Sequence, residues 1–213
     1  MSRQCEPKYS LLLSGRTARL LKKEEAEAKI CSGIKLFLFV AESQAKRFSR
    51  LSQKYGREFI NVYCSPTGAR NGLNLSIADG RCNTEESLLL EELSENFPGF
   101  NLDQYRVKHA AGSEVVLVRA SAGTGKTTVM IDRITYLFAT DEDLLPKDIG
   151  VITFTNKATS SMLGKLQSRL RKMWSVTGRF RWYVLLEQLG QMQLSTLDSF
   201  FYGLIRSEGA LLA

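Results

Sequence analysis

The chain has 213 residues, 44% hydrophobic and 24% charged, which excludes a disordered polyelectrolyte and suits one sizeable domain or two small ones. Its densest apolar stretch, Leu36 to Ala41, falls far short of the roughly 20 residues that span a bilayer, and Leu11 to Leu13 is too short a core for a secretory signal, so no membrane association and a cytoplasmic location are expected. The net charge of +7 predicts an acidic partner, and its distribution is uneven: residues 147–182 carry eight basic side chains against one acid, Asp148.

Cys5, Cys31, Cys64 and Cys82 lie far apart without C-x-x-C spacing, and His109 is the only histidine, so reduced packed thiols are expected and no metal cluster. In chain order, Ile34 to Ala41 reads as a buried strand, Ser43 to Tyr55 as a helix stopped by Gly56, and Phe59 to Tyr63 as a second strand. Turns follow at Pro66-Thr67-Gly68 and Asn71-Gly72, then an alternating stretch from Leu73 to Ala78. Asn83 with Glu86 makes a capping box for a helix from Thr84 to Asn96, and Pro98-Gly99 marks the clearest break. Residues 1–98 thus form a small α/β region with no catalytic constellation, and 99–213 a second part.

In that second part Val115 to Val118 is a short apolar strand. It runs into Ala120-Ser121-Ala122-Gly123-Thr124-Gly125-Lys126-Thr127, and a helix follows from Lys126 to Phe138 with Val129, Met130, Ile134, Leu137 and Phe138 on its apolar side. This is the phosphate-loop pattern with Ala120 in place of the first glycine. Gly123 and Gly125 let successive amides point inward at phosphate oxygens, and the helix presents its positive end to the same anion. Lys126 supplies a full charge, Thr127 a hydroxyl for Mg²⁺, and Thr128 a further hydroxyl. ATP and Mg²⁺ are the expected cofactors. Asp141 to Asp148 connects to a strand from Ile149 to Phe154. A helix from Lys157 to Trp174 then carries Ala158, Met162, Leu166, Leu170 and Met173 at core spacing. Strand, loop, helix, strand, helix predicts a parallel sheet covered by helices.

Thr153-Phe154-Thr155-Asn156-Lys157-Ala158, placed after the second strand, closely resembles motif Ia of the UvrD/Rep superfamily 1 DNA helicases. Asn101-Leu102-Asp103-Gln104 resembles their glutamine motif, and Ser195-Thr196-Leu197-Asp198-Ser199-Phe200-Phe201 looks like motif Ib in the form found in RecB- and AddA-like members, with Leu197-Asp198 where many relatives carry Phe-His. Arg133 matches a family arginine that packs near adenine. The resemblance covers Asn101 to Arg206. It implies an α/β, RecA-like P-loop domain, incomplete here and preceded by the small α/β N-terminal region. It also implies adenine reading by Gln104, stacking of Phe154 on a base of single-stranded DNA, and contacts from Asn156 and Thr196 to sugar or phosphate.

Hydrolysis needs two carboxylates, one on Mg²⁺ and one at the attacking water. The family holds both in a D-E-x-Q motif. In this sequence Asp198 is followed by Ser199, and Asp141-Glu142-Asp143 follows a helix and reads as a solvated loop. The chain is therefore read as the N-terminal portion of an ATP-dependent 3′-to-5′ helicase, cut before that motif and expected to turn over little ATP alone. A non-hydrolysing nucleotide- or DNA-binding protein and an unrelated P-loop enzyme stay as alternatives.

Overall fold

The computed structural model describes residues 20–65, 74–121 and 123–209. The turns expected at Pro66-Thr67-Gly68 and Asn71-Gly72, and Ala122 of the glycine loop, lie outside the described residues. The described chain is α/β and divides into two units, Met1–Thr124 and Gly125–Ala213.

The first unit comprises α1 (Lys23–Cys31), β1 (Leu36–Ala41), α2 (Glu42–Tyr55), β2 (Ile60–Ser65), β3 (Leu75–Ala78), α3 (Thr84–Asn96) and α4 (Leu102–His109). Its sheet has the order β2-β1-β3, with β1 parallel to β2 and antiparallel to β3. The run Leu36-Phe37-Leu38-Phe39-Val40 is apolar on both faces because both are covered. On one side α2 brings Phe48 and Leu51 before Gly56, at φ 79°, ends it. On the other, Phe37, Phe39, Leu75 and Ile77 meet Leu90, Leu93, Phe97, Phe100 and Tyr105. The rings of Phe39 and Phe100 meet edge to face at 5.1 Å. The expected capping box closes α3: Asn83 Oδ1 accepts from the Glu86 amide at 2.9 Å, and Glu86 accepts from the Asn83 amide at 2.8 Å. Within the stretch read as alternating, β3 is buried throughout while Leu73 lies outside the described residues, and Ser76 accepts from the Leu21 amide at 3.1 Å.

A buried polar cluster ties α4 to the end of β3. Asp79 accepts from Lys108 Nζ on one carboxylate oxygen and from His109 Nε2 on the other, at 2.9 Å. The Nδ1 of His109 meets the Tyr105 carbonyl at 2.7 Å, and the Tyr105 hydroxyl donates to the Gly80 carbonyl at 2.6 Å. Burial pushes the Asp79 carboxyl up, but the Lys108 charge and the His109 hydrogen bond outweigh it and hold the group below the usual carboxylate range. Burial also pushes the Cys82 thiol up, to about 11, so it stays protonated near neutrality, and Cys31, Cys64 and Cys82 are free thiols.

The second unit comprises α5 (Lys126–Thr140), β4 (Gly150–Thr153), α6 (Asn156–Thr177), α7 (Phe180–Glu187), β5 (Gln193–Thr196) and α8 (Leu197–Gly209). β4 and β5 pair in parallel, from Gly150↔Gln193 to Thr153↔Thr196. Core residues are Ile131, Ile134 and Phe138 of α5, Met162, Leu166, Leu170 and Met173 of α6, and Trp182 and Leu185 of α7. Met130 and Ala158, expected in the core, are exposed, because the buried arc of each helix is centred on neighbouring positions. Asp132 and Arg169 form an ion pair at 2.7 Å between α5 and α6. Arg181 donates to the carbonyls of Phe138, Asp141, Glu142 and Leu144, closing the end of α5 and the loop after it.

Two expectations are corrected. Val115 to Val118 forms no strand, and among the described residues it pairs with none; all four side chains are exposed. Among the described residues the RecA-like parallel sheet expected around it is not seen: one unit has a mixed sheet and the other a single parallel pair. The preference of Val-Val-Leu-Val for strands is a preference for a half-buried pleated surface, and without a flanking strand it has nothing to act on.

Candidate functional site

Of the glycine loop, Ala120 and Ser121 are exposed and without regular structure. The Thr124 hydroxyl donates to the Ser121 carbonyl at 2.8 Å, fastening the turn. Gly123 and Gly125 have φ of 79° and 86°, the left-handed region that favours glycine. A Cβ on Gly123 would meet nothing within 4 Å, so the backbone's hand rather than crowding is what calls for glycine there.

Gly125 is the N-cap of α5 and provides no side-chain acceptor to its first turn. Lys126, Thr127 and Thr128 are exposed on that turn. Arg133 stands two turns on, roughly 10 Å along the axis and on nearly the same helix face as Lys126, half-buried. Among the described residues no cluster of three or more His, Cys, Asp or Glu could hold a metal.

Gln104 stands in the first turn of α4, where Asn101 Oδ1 accepts from its amide at 2.8 Å. Its Nε2 donates to the Thr124 carbonyl at 3.0 Å. The structure thus brings the glutamine onto the glycine loop, 20 residues away in sequence. The Asp79 cluster anchors the other end of the same helix. Sequence reasoning missed that cluster, since no spacing rule joins Asp79 to His109, 30 residues later; the one signal was an acid closing a buried strand.

Phe154, Asn156 and Thr196 come together at one end of the parallel pair. Thr153 and Thr196 are register partners, so Phe154 and Leu197 each follow directly on a strand's carboxyl end, the side of parallel sheets where ligands bind. Thr155 Oγ1 accepts from the Ala158 amide at 3.1 Å and caps α6, leaving Phe154 89% exposed and Asn156 exposed on the first helical turn. Thr196 is different. It is buried, and its hydroxyl donates to Ser199 Oγ at 2.9 Å and accepts from the Ser199 amide at 3.2 Å, so it holds the start of α8.

The family of UvrD/REP helicase N-terminal domains matches residues 101–213. An ATP-dependent helicase/nuclease protein from Lysinibacillus sphaericus is 32% identical over 114 residues, covering 52% of this chain and 9% of the relative. The same-named protein of Lactobacillus acidophilus is 34% identical over 112 residues, covering 51% and 9%. DNA helicase II of Haemophilus influenzae is 42% identical over 81 residues, covering 38% and 11%. The chain therefore matches about a tenth of the length of these curated relatives. No helix among the described residues is long and apolar enough to cross a membrane.

Proposed function

This chain belongs to the family of UvrD/REP helicase N-terminal domains through its residues 101–213, and we propose that it supplies the nucleotide-binding part of an ATP-dependent 3′-to-5′ DNA helicase. The observation carrying this reading is the pair of left-handed glycines, Gly123 and Gly125, immediately before a helix that opens on exposed Lys126 and Thr127. In this reading the amides of 120–125 and the Lys126 ammonium hold ATP phosphates, Thr127 joins Mg²⁺, and Thr128 adds a hydroxyl. Gln104 reads the adenine edge through its amide donor and acceptor, and Arg133 packs beside the base. When bound, Mg²⁺ would neutralise phosphate charge. Phe154 stacks on a base of single-stranded DNA, a contact indifferent to base identity, and Asn156 holds its backbone. Thr196 contributes by fixing the turn from which α8 departs.

Residues 1–98 are proposed as a region apart from the motif-bearing 99–213. Neither Asp198, exposed on the first turn of α8, nor the exposed Asp141-Glu142-Asp143 loop pairs two acids at a strand end, so the 213 residues should bind ATP with little turnover. That favours, for the isolated chain, a binding role over catalysis.

The test is equilibrium binding of a fluorescent ATP analogue with and without Mg²⁺. Lys126→Ala should weaken binding at least tenfold, and Mg²⁺ should bind only together with nucleotide. Unchanged affinity in the variant would remove the phosphate-loop assignment.

A further inference from the structure

Where α6 turns into α7, at Gly178 with φ 63°, three aromatic rings gather on the surface. Trp174 on the last turns of α6 lies 5.0 Å from Tyr183 of α7, and Tyr183 stacks on Phe180 at 5.6 Å with the planes 28° apart. Trp174 is 41% exposed and Phe180 69%. Core packing does not account for them. The buried face of α7 is made by Trp182 and Leu185, and that of α6 by Met162, Leu166, Leu170 and Met173.

The segment that carries the rings is basic, although Glu187 stands one turn beyond Tyr183 on α7 and Arg181 holds the backbone of the acidic residues Asp141 and Glu142. Residues 149–186 contain no Asp or Glu. Arg169 is taken by Asp132 and Arg181 by backbone carbonyls, so these two are structural. Lys165, Arg171 and Arg179 are exposed, and among the described residues no carboxylate pairs with them. Arg171 precedes Trp174 by one helical turn, and Arg179 precedes Phe180 directly. Exposed rings interleaved with unpaired cations suit unstacked bases on a phosphate backbone. A duplex hides its base faces, and a protein interface of standard size needs about 800 Å² per side around an apolar centre, more than three rings provide.

We propose that Trp174, Tyr183 and Phe180 form a second stacking platform for single-stranded DNA, with Arg171 and Arg179 on its phosphates, at the opposite end of α6 from Phe154. The two ends are roughly 30 Å apart at 1.5 Å per residue. The proposal rests on the reading of the chain as a DNA-binding helicase part, and it adds a contact outside the motifs that carry that reading.

The experiment uses the whole 213-residue chain with a labelled oligothymidylate of about 16 nucleotides. Trp174 and Trp182 are the two tryptophans, so Trp182→Phe isolates Trp174 fluorescence. The oligonucleotide should quench it, and Trp174→Ala with Phe180→Ala should weaken binding roughly tenfold while circular dichroism and Tm stay unchanged. Arg171→Ala with Arg179→Ala should lower the slope of log affinity against log salt by about 1 to 2. Absent quenching and unchanged affinity in the ring variant, with Phe154→Ala still weakening binding, would overturn the platform and leave the motif reading intact. Indifference to all of these substitutions would overturn both. Equal quenching by polyglutamate would also overturn the platform, in favour of an acidic polypeptide.

Discussion

The two units solve the same packing problem to different degrees. In the first, β1 lies between covered faces and Phe37 and Phe39 sit in a cluster of aromatic and aliphatic side chains from both sheet and helices. In the second, β4 has one buried residue, Val151, while Ile152, Phe154, Phe200 and Phe201 are exposed. Yet the recognisable motifs concentrate in the open unit and at its border, and the closed one carries few. Residues that act on nucleotides or DNA must stand at strand ends, loops and helix starts, where other molecules reach them. A closed core can be built from many sequences and leaves no signature beyond its periodicity. The contrast is testable by asking what each unit loses when a residue is removed.

The largest effect should come from the buried charges of the first unit. Asp79→Asn leaves Lys108 and His109 without their carboxylate in a dry site, which should cost about 3–5 kcal/mol, seen as a lowered urea midpoint. The same group predicts an acid limb. Because its folded-state pKa lies below the ordinary Asp value of roughly 3.9, its stabilisation is complete above that pH and is lost as pH falls toward the depressed value. Wild type should therefore lose stability on acidification below about pH 4, and the variant should lose less over that range.

Next comes the corresponding charge pair of the second unit. Arg169→Ala removes the α6 ion-pair partner of a partly buried Asp132, with the two side chains 14% and 19% exposed, and should cost about 1–3 kcal/mol. Hydrogen exchange would localise the loss to α5 and α6. A loss as large as that from Asp79→Asn would mean that the open unit depends on its charges as heavily as the closed one. Gly125→Ala should cost about 1–2 kcal/mol, since alanine at φ 86° crowds its own carbonyl, and should weaken nucleotide binding beyond any change in Tm.

Much of this was legible in the sequence where local chemistry decides. The capping box at Asn83, the stop at Gly56, the glycine loop and the start of α5 at Lys126 each follow from a few neighbouring residues. Failures came where partners distant in sequence decide. Val115 to Val118 has the composition of a strand, but pairing is a property of two segments, and no partner lies beside it among the described residues. His109 is packed, and its packing includes the Asp79 carboxylate, 30 residues away, that helps fix the helix bearing Gln104.

The smallest effect should come from Phe201, and it sharpens the comparison because the residue type is held constant. Phe39 is fully buried, and Phe39→Ala should cost about 3–5 kcal/mol through lost contacts and a cavity. Phe201 is 53% exposed on α8, touching Phe200 at a ring distance of 6.0 Å, so Phe201→Ser removes little buried surface. Stability should change by no more than about 0.5 kcal/mol, while solubility rises as an exposed apolar patch shrinks. A loss above that by urea unfolding would mean that this ring is covered in solution, and the second unit would then be as closed as the first.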